Sequence, residues 1–112
     1  MVSLSQLLEE LETAKDELTA AQAHYVEASS EVVTAKANLE YRKAELLSKG
    51  VEGKNAEQRD ATLRLKLSGS HAEVNRLELE LTRVKGRLEV AQTCFTAVRY
   101  KVRALEVLKG VA

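Results

Sequence analysis

The sequence predicts an all-α fold: a long antiparallel two-helix coiled-coil hairpin that pairs with a second copy to make a four-helix bundle. Three observations lead to this prediction. Apolar residues follow heptad spacing along nearly the whole chain, two glycines mark one reversal near the middle, and proline is absent. Charged residues make up 30% of the 112 residues and hydrophobic residues 45%, which is typical of long helices. We expect one domain over residues 1–112.

The first helix is predicted over about residues 4–48. Apolar residues recur there at alternating spacings of three and four, which is the pattern of heptad a and d positions. The a row is Leu4, Leu11, Leu18, Tyr25, Val32, Leu39 and Leu46, and the d row is Leu7, Ala14, Ala21, Ala28, Ala35 and Arg42. Ser3 followed by Gln6 fits a capping box at the start of this helix.

A reversal is predicted over residues 49–54. Gly50 suits the left-handed position after a helix, and Gly53 adds a second flexible point. Asn55 is a good N-cap for the next helix, with Gln58 three residues later for a reciprocal cap. A phosphate-binding loop is the alternative for the two glycines and Lys54. It is disfavoured, because the Walker pattern needs four residues between its glycines and a hydroxyl residue after the lysine.

The second helix is predicted over about residues 55–109. Its a row is Asp60, Leu67, Val74, Leu81, Leu88, Phe95, Val102 and Lys109, and its d row is Ala56, Leu63, Ser70, Leu77, Val84, Ala91, Val98, Leu105 and Ala112. Glycine within residues 68–70 weakens a helix by about 1 kcal/mol. Since the heptad frame is the same before and after it, we expect a kink inside one helix there, with a separate short helix as the alternative.

A reversal centred near Val51 sets the pairing register of the two helices. Leu39 then faces Leu63, and small residues mostly meet large ones along the seam. The only two charged residues inside the seam, Arg42 and Asp60, face each other, and we expect this pair to specify the register. On the exposed flank, Lys36 is expected beside Arg64. A pair of exposed charges of this kind changes the stability only slightly.

Charge is divided between the halves of the chain. Residues 1–48 hold nine acids and four bases, a net of −5, and residues 49–112 hold eight acids and thirteen bases, a net of +5. This asymmetry favours packing of one half against the other. The lone Cys94 excludes a disulfide scaffold, and the absence of a long uncharged stretch excludes a membrane span. No signal-peptide segment is evident, so we expect a cytoplasmic protein.

The predicted register leaves apolar surface uncovered. About ten C-terminal residues extend past the first helix, and with Tyr100 they form a predicted oligomer or partner surface. It comprises Tyr100, Val102, Leu105, Val107, Leu108 and Val111. Two outer stripes add to it: Ala23, Val26, Val33, Ala37, Tyr41 and Ala44 on the first helix, and Leu65, Ala72, Leu79, Val90, Ala97, Tyr100, Ala104 and Val107 on the second. Helices that are apolar on two faces need two neighbours, so we expect a two-fold dimer. A monomer with merely alanine-rich outer faces is the alternative.

Side chains with catalytic or metal-binding chemistry are sparse. His24 and His71 fall at flanking positions of different helices, and no third ligand for a metal lies near them. Cys94 is also a flank residue without a base beside it. We therefore predict no catalytic, cofactor or metal site and a protein that is not an enzyme.

One basic segment is a candidate for contacts with single-stranded nucleic acid. Arg99, Tyr100, Lys101 and Arg103 place three cations around one aromatic ring, and single-strand binders combine a basic track with stacking aromatics. Further cations could extend the track: Arg76, Arg83, Lys85 and Arg87. The simpler explanation, which we favour, is that these charges keep an oligomer in solution and complement the acidic first half.

The ten residues from Gly50 to Arg59 resemble a segment of small helical proteins of tailed bacteriophages and prophages. In those proteins a Gly-Lys-Asn-Ala-Glu-x-Arg core precedes the second helix, and here it is Gly53 to Arg59. The resemblance implies a phage-encoded accessory protein in the bacterial host cytoplasm. It brings no catalytic residues, and its link to replication or recombination is one of association.

The leading hypothesis is a non-enzymatic, self-associating helical adaptor or inhibitor that contacts an unidentified host or phage protein. Its motivation is the uncovered apolar surface. A single-stranded nucleic-acid-binding accessory of phage replication or recombination is the second hypothesis. A virion scaffolding protein or tail-assembly chaperone is the third.

Overall fold

The chain is helical throughout in the computed structural model, which describes residues 3–110. The helices are α1 (Leu4–Lys49), α2 (Ala56–Lys66) and α3 (Ser68–Leu108). Helix makes up 91% of the described residues, and no strand occurs among them. The predicted all-α class is therefore confirmed. Val111, one of the predicted partner-surface residues, and Ala112, the last residue of the d row, lie outside the described part of the chain.

The start of α1 is fixed by the predicted capping box. The backbone N–H of Gln6 donates to Ser3 Oγ at 3.1 Å, and the backbone N–H of Ser3 donates to Gln6 Oε1 at 2.9 Å. Two amide groups that the helix cannot satisfy are thus paired by side chains.

The reversal between α1 and α2 follows the glycines and the second cap. Gly50 has φ +87°, and its amide donates to the Leu47 carbonyl at 3.3 Å. Asn55 caps α2 by accepting from the Gln58 amide at 2.9 Å. The Gln58 side chain accepts in return from Lys54, one residue before the cap, at 2.8 Å. The predicted stop, reversal and restart are all present.

The weak point of the second half lies at Leu67, one residue before the predicted position. α2 ends at Lys66 and α3 begins at Ser68, so the shorter separate helix that was the alternative is what forms. Hydrogen bonds from the Leu67 amide to Leu63 and from the His71 amide to Leu67 carry the helical ladder past the break. The Ser68 hydroxyl donates to the Leu65 carbonyl at 2.9 Å, a local bond of the kind that bends helices.

The helices form two compact units. The turn unit comprises residues 27–82. The terminal unit joins the part of α1 up to Val26 with the part of α3 from Arg83 onward. In each unit α1 lies beside a later segment of the chain, and the core follows the predicted a and d rows. No side chain among the described residues is completely buried, and the most buried is Leu67, at 2% exposure.

The pairing register in the turn unit is one heptad away from the predicted one. Leu39 belongs to a core cluster with Leu67 and Val74, and Leu63, its predicted partner, is only partly buried and packs against this cluster. Lys36 Nζ lies 3.5 Å from Glu78 Oε1, whereas the predicted register set Lys36 beside Arg64. Both contacts require α1 to be displaced by about two turns toward later residues of α3.

The predicted Arg42–Asp60 pair is not formed inside the seam. Both side chains are exposed, and no ion pair within 4.0 Å joins them in the described structure. Burying the pair would remove two charges from water at a cost that their attraction rarely repays. The shifted register avoids that cost, because it leaves Asp60 in the exposed first turns of α2.

In the terminal unit, the burial of apolar side chains agrees with the same shift in register. Leu7 and Val102 are buried, at 6% and 8% exposure, and Leu105 is half-buried. The prediction that Val102 and Leu105 extend past the end of α1 with their side chains uncovered is therefore wrong. Burial of a valine or leucine side chain contributes roughly 1.5–3 kcal/mol, so extending the seam over both residues outweighs the loss of Ala56 from the core.

Substitutions at two glycines should have opposite effects on stability. Gly86→Ala in the interior of α3 places its Cβ in open space and should raise the free energy of unfolding by about 1 kcal/mol. Gly53→Ala should lower it, because φ is +156° and the new Cβ would lie 2.7 Å from the Arg59 amide nitrogen. Urea unfolding followed by circular dichroism measures both changes, and stabilisation by Gly53→Ala would contradict this structure of the reversal.

Candidate functional site

The outer faces of the helices carry the predicted apolar stripes in full exposure. Val33 and Tyr41 on α1 are 67% and 73% exposed, and Leu65 on α2 is 77% exposed. Every other predicted member of the two stripes is also classed as exposed: Ala23, Val26, Ala37, Ala44, Ala72, Leu79, Val90, Ala97, Tyr100, Ala104 and Val107. Contiguous apolar surface of this kind marks an interaction site more often than an ordinary surface.

The residues of the predicted C-terminal partner surface do not all lie at the surface, because the shifted register buries some of them. Tyr100, Val107 and Leu108 are exposed, whereas Val102 belongs to the core and Leu105 is half-buried. Tyr100 and Val107 are members of the outer stripe of α3, and Leu108 borders it. They therefore continue the outer stripe of α3 and do not form a separate patch.

The basic segment is not one continuous track. Arg99, Tyr100 and Arg103 line a cavity of about 300 Å³ in the terminal unit, together with Leu11 and Glu106. The Arg99 guanidinium lies 5.7 Å from the centre of the Phe95 ring, within the range of a cation–π contact. Lys101 follows Tyr100 in the helix and so lies on its other flank. Three of the four predicted residues are thus brought together, and Glu106 lies among them.

The cations that were to extend the track have different surroundings. The Arg76 guanidinium is held by Glu73, with Nη2 2.6 Å from Oε1 and Nε 3.0 Å from Oε2. This bidentate hydrogen bond lowers the pKa of Glu73 and raises that of Arg76. Lys85 and Arg87 are exposed on α3 in the terminal unit.

A groove in the turn unit escaped the sequence analysis. It has a volume of about 590 Å³ and lies between α1 and α3 beside the helix break. Polar and small residues line most of it: Ser30, Glu31, Thr34, Asn38, Gly69, Ser70, Glu73 and Arg76. The sequence signal for this groove is the run of small residues at 68–70, which affects the space beside the helix as well as its backbone.

The histidines and the cysteine occupy surface positions. His24, His71 and Cys94 are exposed. Within residues 3–110 no three side chains of histidine, cysteine, aspartate or glutamate come together as a possible metal site. None of the helices in that range combines the length and apolar character needed to cross a membrane.

Comparison with known proteins gives no family assignment. No protein-family model matches the chain, and no curated protein or solved structure matches it either. The resemblance of the Gly50–Arg59 segment to phage proteins stays a prediction. Function must therefore be argued from the exposed faces themselves.

Removing the Arg76 guanidinium should change the titration of Glu73. Arg76→Gln takes away its strongest hydrogen-bond donor, so the pKa of Glu73 should rise toward its ordinary value. In the native protein the pair stabilises the fold above the ordinary carboxyl pKa, and this contribution is lost as the pH falls through the lowered pKa. Carboxyl carbon shifts in an NMR titration measure the change. Arg87→Gln is the control and should leave Glu73 unaffected; an unchanged Glu73 in Arg76→Gln would refute the pairing.

Proposed function

We propose that this protein is a non-enzymatic, self-associating helical adaptor or inhibitor that works through protein–protein contacts. In this proposal the chain is an antiparallel hairpin, two copies form a four-helix bundle, and the assembly presents the remaining surface to a host or phage protein in the bacterial cytoplasm. The single observation that carries the proposal is the exposed apolar residues along the outer faces of all three helices.

The size of the core supports association. A pair of helices has one seam, and here that seam leaves even its central side chains in partial contact with solvent. Valine, leucine and tyrosine on the outer faces are more than half exposed. Covering them in a dimer would remove apolar surface from water, which is the main favourable term in most protein association.

The charge distribution is compatible with the same proposal. The chain carries equal numbers of acids and bases, 17 of each. Two copies therefore approach without a large net repulsion. Ion pairs at the surface, such as Lys36–Glu78, add little to stability, so the apolar faces are the stronger candidates for a partner.

Self-association can be tested with one charge on each stripe. Native protein should sediment at twice the 12.4 kDa of one chain as its concentration rises. Val33→Glu with Tyr100→Glu should weaken association at least about tenfold, because a carboxylate on the stripe that forms the interface would have to be buried there. Asn38→Glu with Asn75→Glu adds the same charge at exposed polar positions outside the apolar stripes and should associate normally. Native protein that stays monomeric to millimolar concentration would refute the proposal.

A single-stranded nucleic-acid accessory is the second candidate function. The observation that favours it is the shared cavity of Arg99, Tyr100 and Arg103, in which two cations lie on one flank of an exposed aromatic ring. Single-strand binding commonly combines base stacking on an aromatic ring with phosphate contacts to cations beside it. Glu106 lines the same cavity, and its carboxylate would repel a phosphate group, which counts against this function.

Salt dependence distinguishes this second candidate. Binding of a labelled single strand should weaken as salt increases, and Arg99→Gln with Arg103→Gln should reduce the logarithmic slope by about 1.4. Lys109→Gln, outside the cavity, is the control. Absence of strand retention by the native protein at low salt would exclude this function.

A further inference from the structure

The outer face of α3 in the terminal unit carries a second heptad seam. From Val90 to Val107 its apolar and small residues alternate at spacings of three and four, as the core rows do. The members are Val90, Thr93, Ala97, Tyr100, Ala104 and Val107, all exposed. Thr93 fits among them because its hydroxyl donates to the Glu89 carbonyl at 3.0 Å, which leaves its methyl group for packing. We call this row the α3 outer seam.

We propose that the α3 outer seam binds the same seam of a second copy of this chain, with the two helices antiparallel about a two-fold axis between Ala97 and Tyr100. This inference rests on the proposed self-association and specifies its contact. In this arrangement Val90 faces Val107 of the second copy, Thr93 faces its Ala104, and Ala97 faces its Tyr100.

Side-chain size favours this alignment. Each Tyr100 meets an alanine and each valine meets a valine, so these layers are of similar volume, and the Thr93–Ala104 layers between them are smaller. A parallel pair would instead stack tyrosine on tyrosine and alanine on alanine, which leaves alternating crowded and empty layers. The seam is therefore complementary to itself only when antiparallel.

A depression already exists where the tyrosine of the second copy would enter. It has a volume of about 540 Å³ and is lined by α3 residues alone: Glu89, Gln92, Thr93, Thr96, Ala97 and Tyr100. Ala97 is one of its lining residues, and an alanine between larger neighbours leaves room for a side chain from outside. A coiled-coil knob enters a hole of this kind, made by four residues of the facing helix.

Charges beside the seam complement each other in the same alignment. One bordering row has Glu89 near its start and Arg103 near its end. An antiparallel copy brings each Glu89 to within about 8 Å along the axis of the other copy's Arg103, an opposite-charge approach that occurs twice. On the other border Lys101 lies nearest to Cys94 of the second copy, and the two Lys101 residues are about 8 Å apart along the axis, one like-charge approach against the two favourable ones.

Two alanine substitutions test which face associates. Ala97→Glu places a carboxylate at the centre of the seam and should weaken association at least about tenfold. Ala37→Glu makes the same change at an exposed alanine of α1 and should leave association unchanged. Both are measured by sedimentation of the full chain, with circular dichroism to verify that the helices remain.

Cross-linking tests the alignment directly. A short maleimide–succinimide reagent should join Cys94 of one copy to Lys101 of the other, and mixing isotope-labelled with unlabelled chains identifies the link as intermolecular. Lys101→Arg should abolish this link and keep the dimer mass. A dimer without the link, or one broken by Ala37→Glu and not by Ala97→Glu, overturns the α3 outer seam and leaves self-association standing. A native protein that never dimerises overturns both.

Discussion

The arrangement of this protein depends on one narrow apolar seam, in which side chains spaced three and four residues apart hold α1 against α2 and α3. Because a helix pair encloses a single line of contact, the burial of each residue in that line depends strongly on register. The chain adopts the register that covers Val102 and Leu105 and leaves Arg42 and Asp60 in water. The burial of apolar surface and the avoidance of buried charge thus favour the same register.

Local features of the fold were predictable because they depend on neighbouring residues. The caps at Ser3 and Asn55 follow from side chains three residues apart, and the heptad rows follow from spacing alone. The register was not predictable in the same way. Shifting an antiparallel pair by one heptad preserves every inward-facing position, so the choice depends on the ends of the seam, and the position of the turn was too coarse a guide to it.

The candidate surfaces show the same division. The exposed stripes were predictable, because heptad positions opposite the seam must face outward, and Tyr41, Leu65 and Tyr100 do so. The division of the C-terminal partner surface into core residues, such as Val102, and exposed residues, such as Val107, was not predictable, because it depends on the register. Proximity of Arg99 to Phe95 and of Arg76 to Glu73 depends on side-chain conformation as well. The inner seam holds each unit together, and the outer faces carry the exposed apolar side chains.

The register of the inner seam is tested most directly by engineered disulfides in a Cys94→Ser background. Leu7→Cys with Val102→Cys should oxidise readily within one chain, since the register of the turn unit, continued along α1 and α3, puts these two buried positions at the same level. Leu7→Cys with Phe95→Cys, the pair expected from the unshifted register, should not, because about 10 Å along the axis separates them. Rapid closure of the second pair and failure of the first would contradict the account.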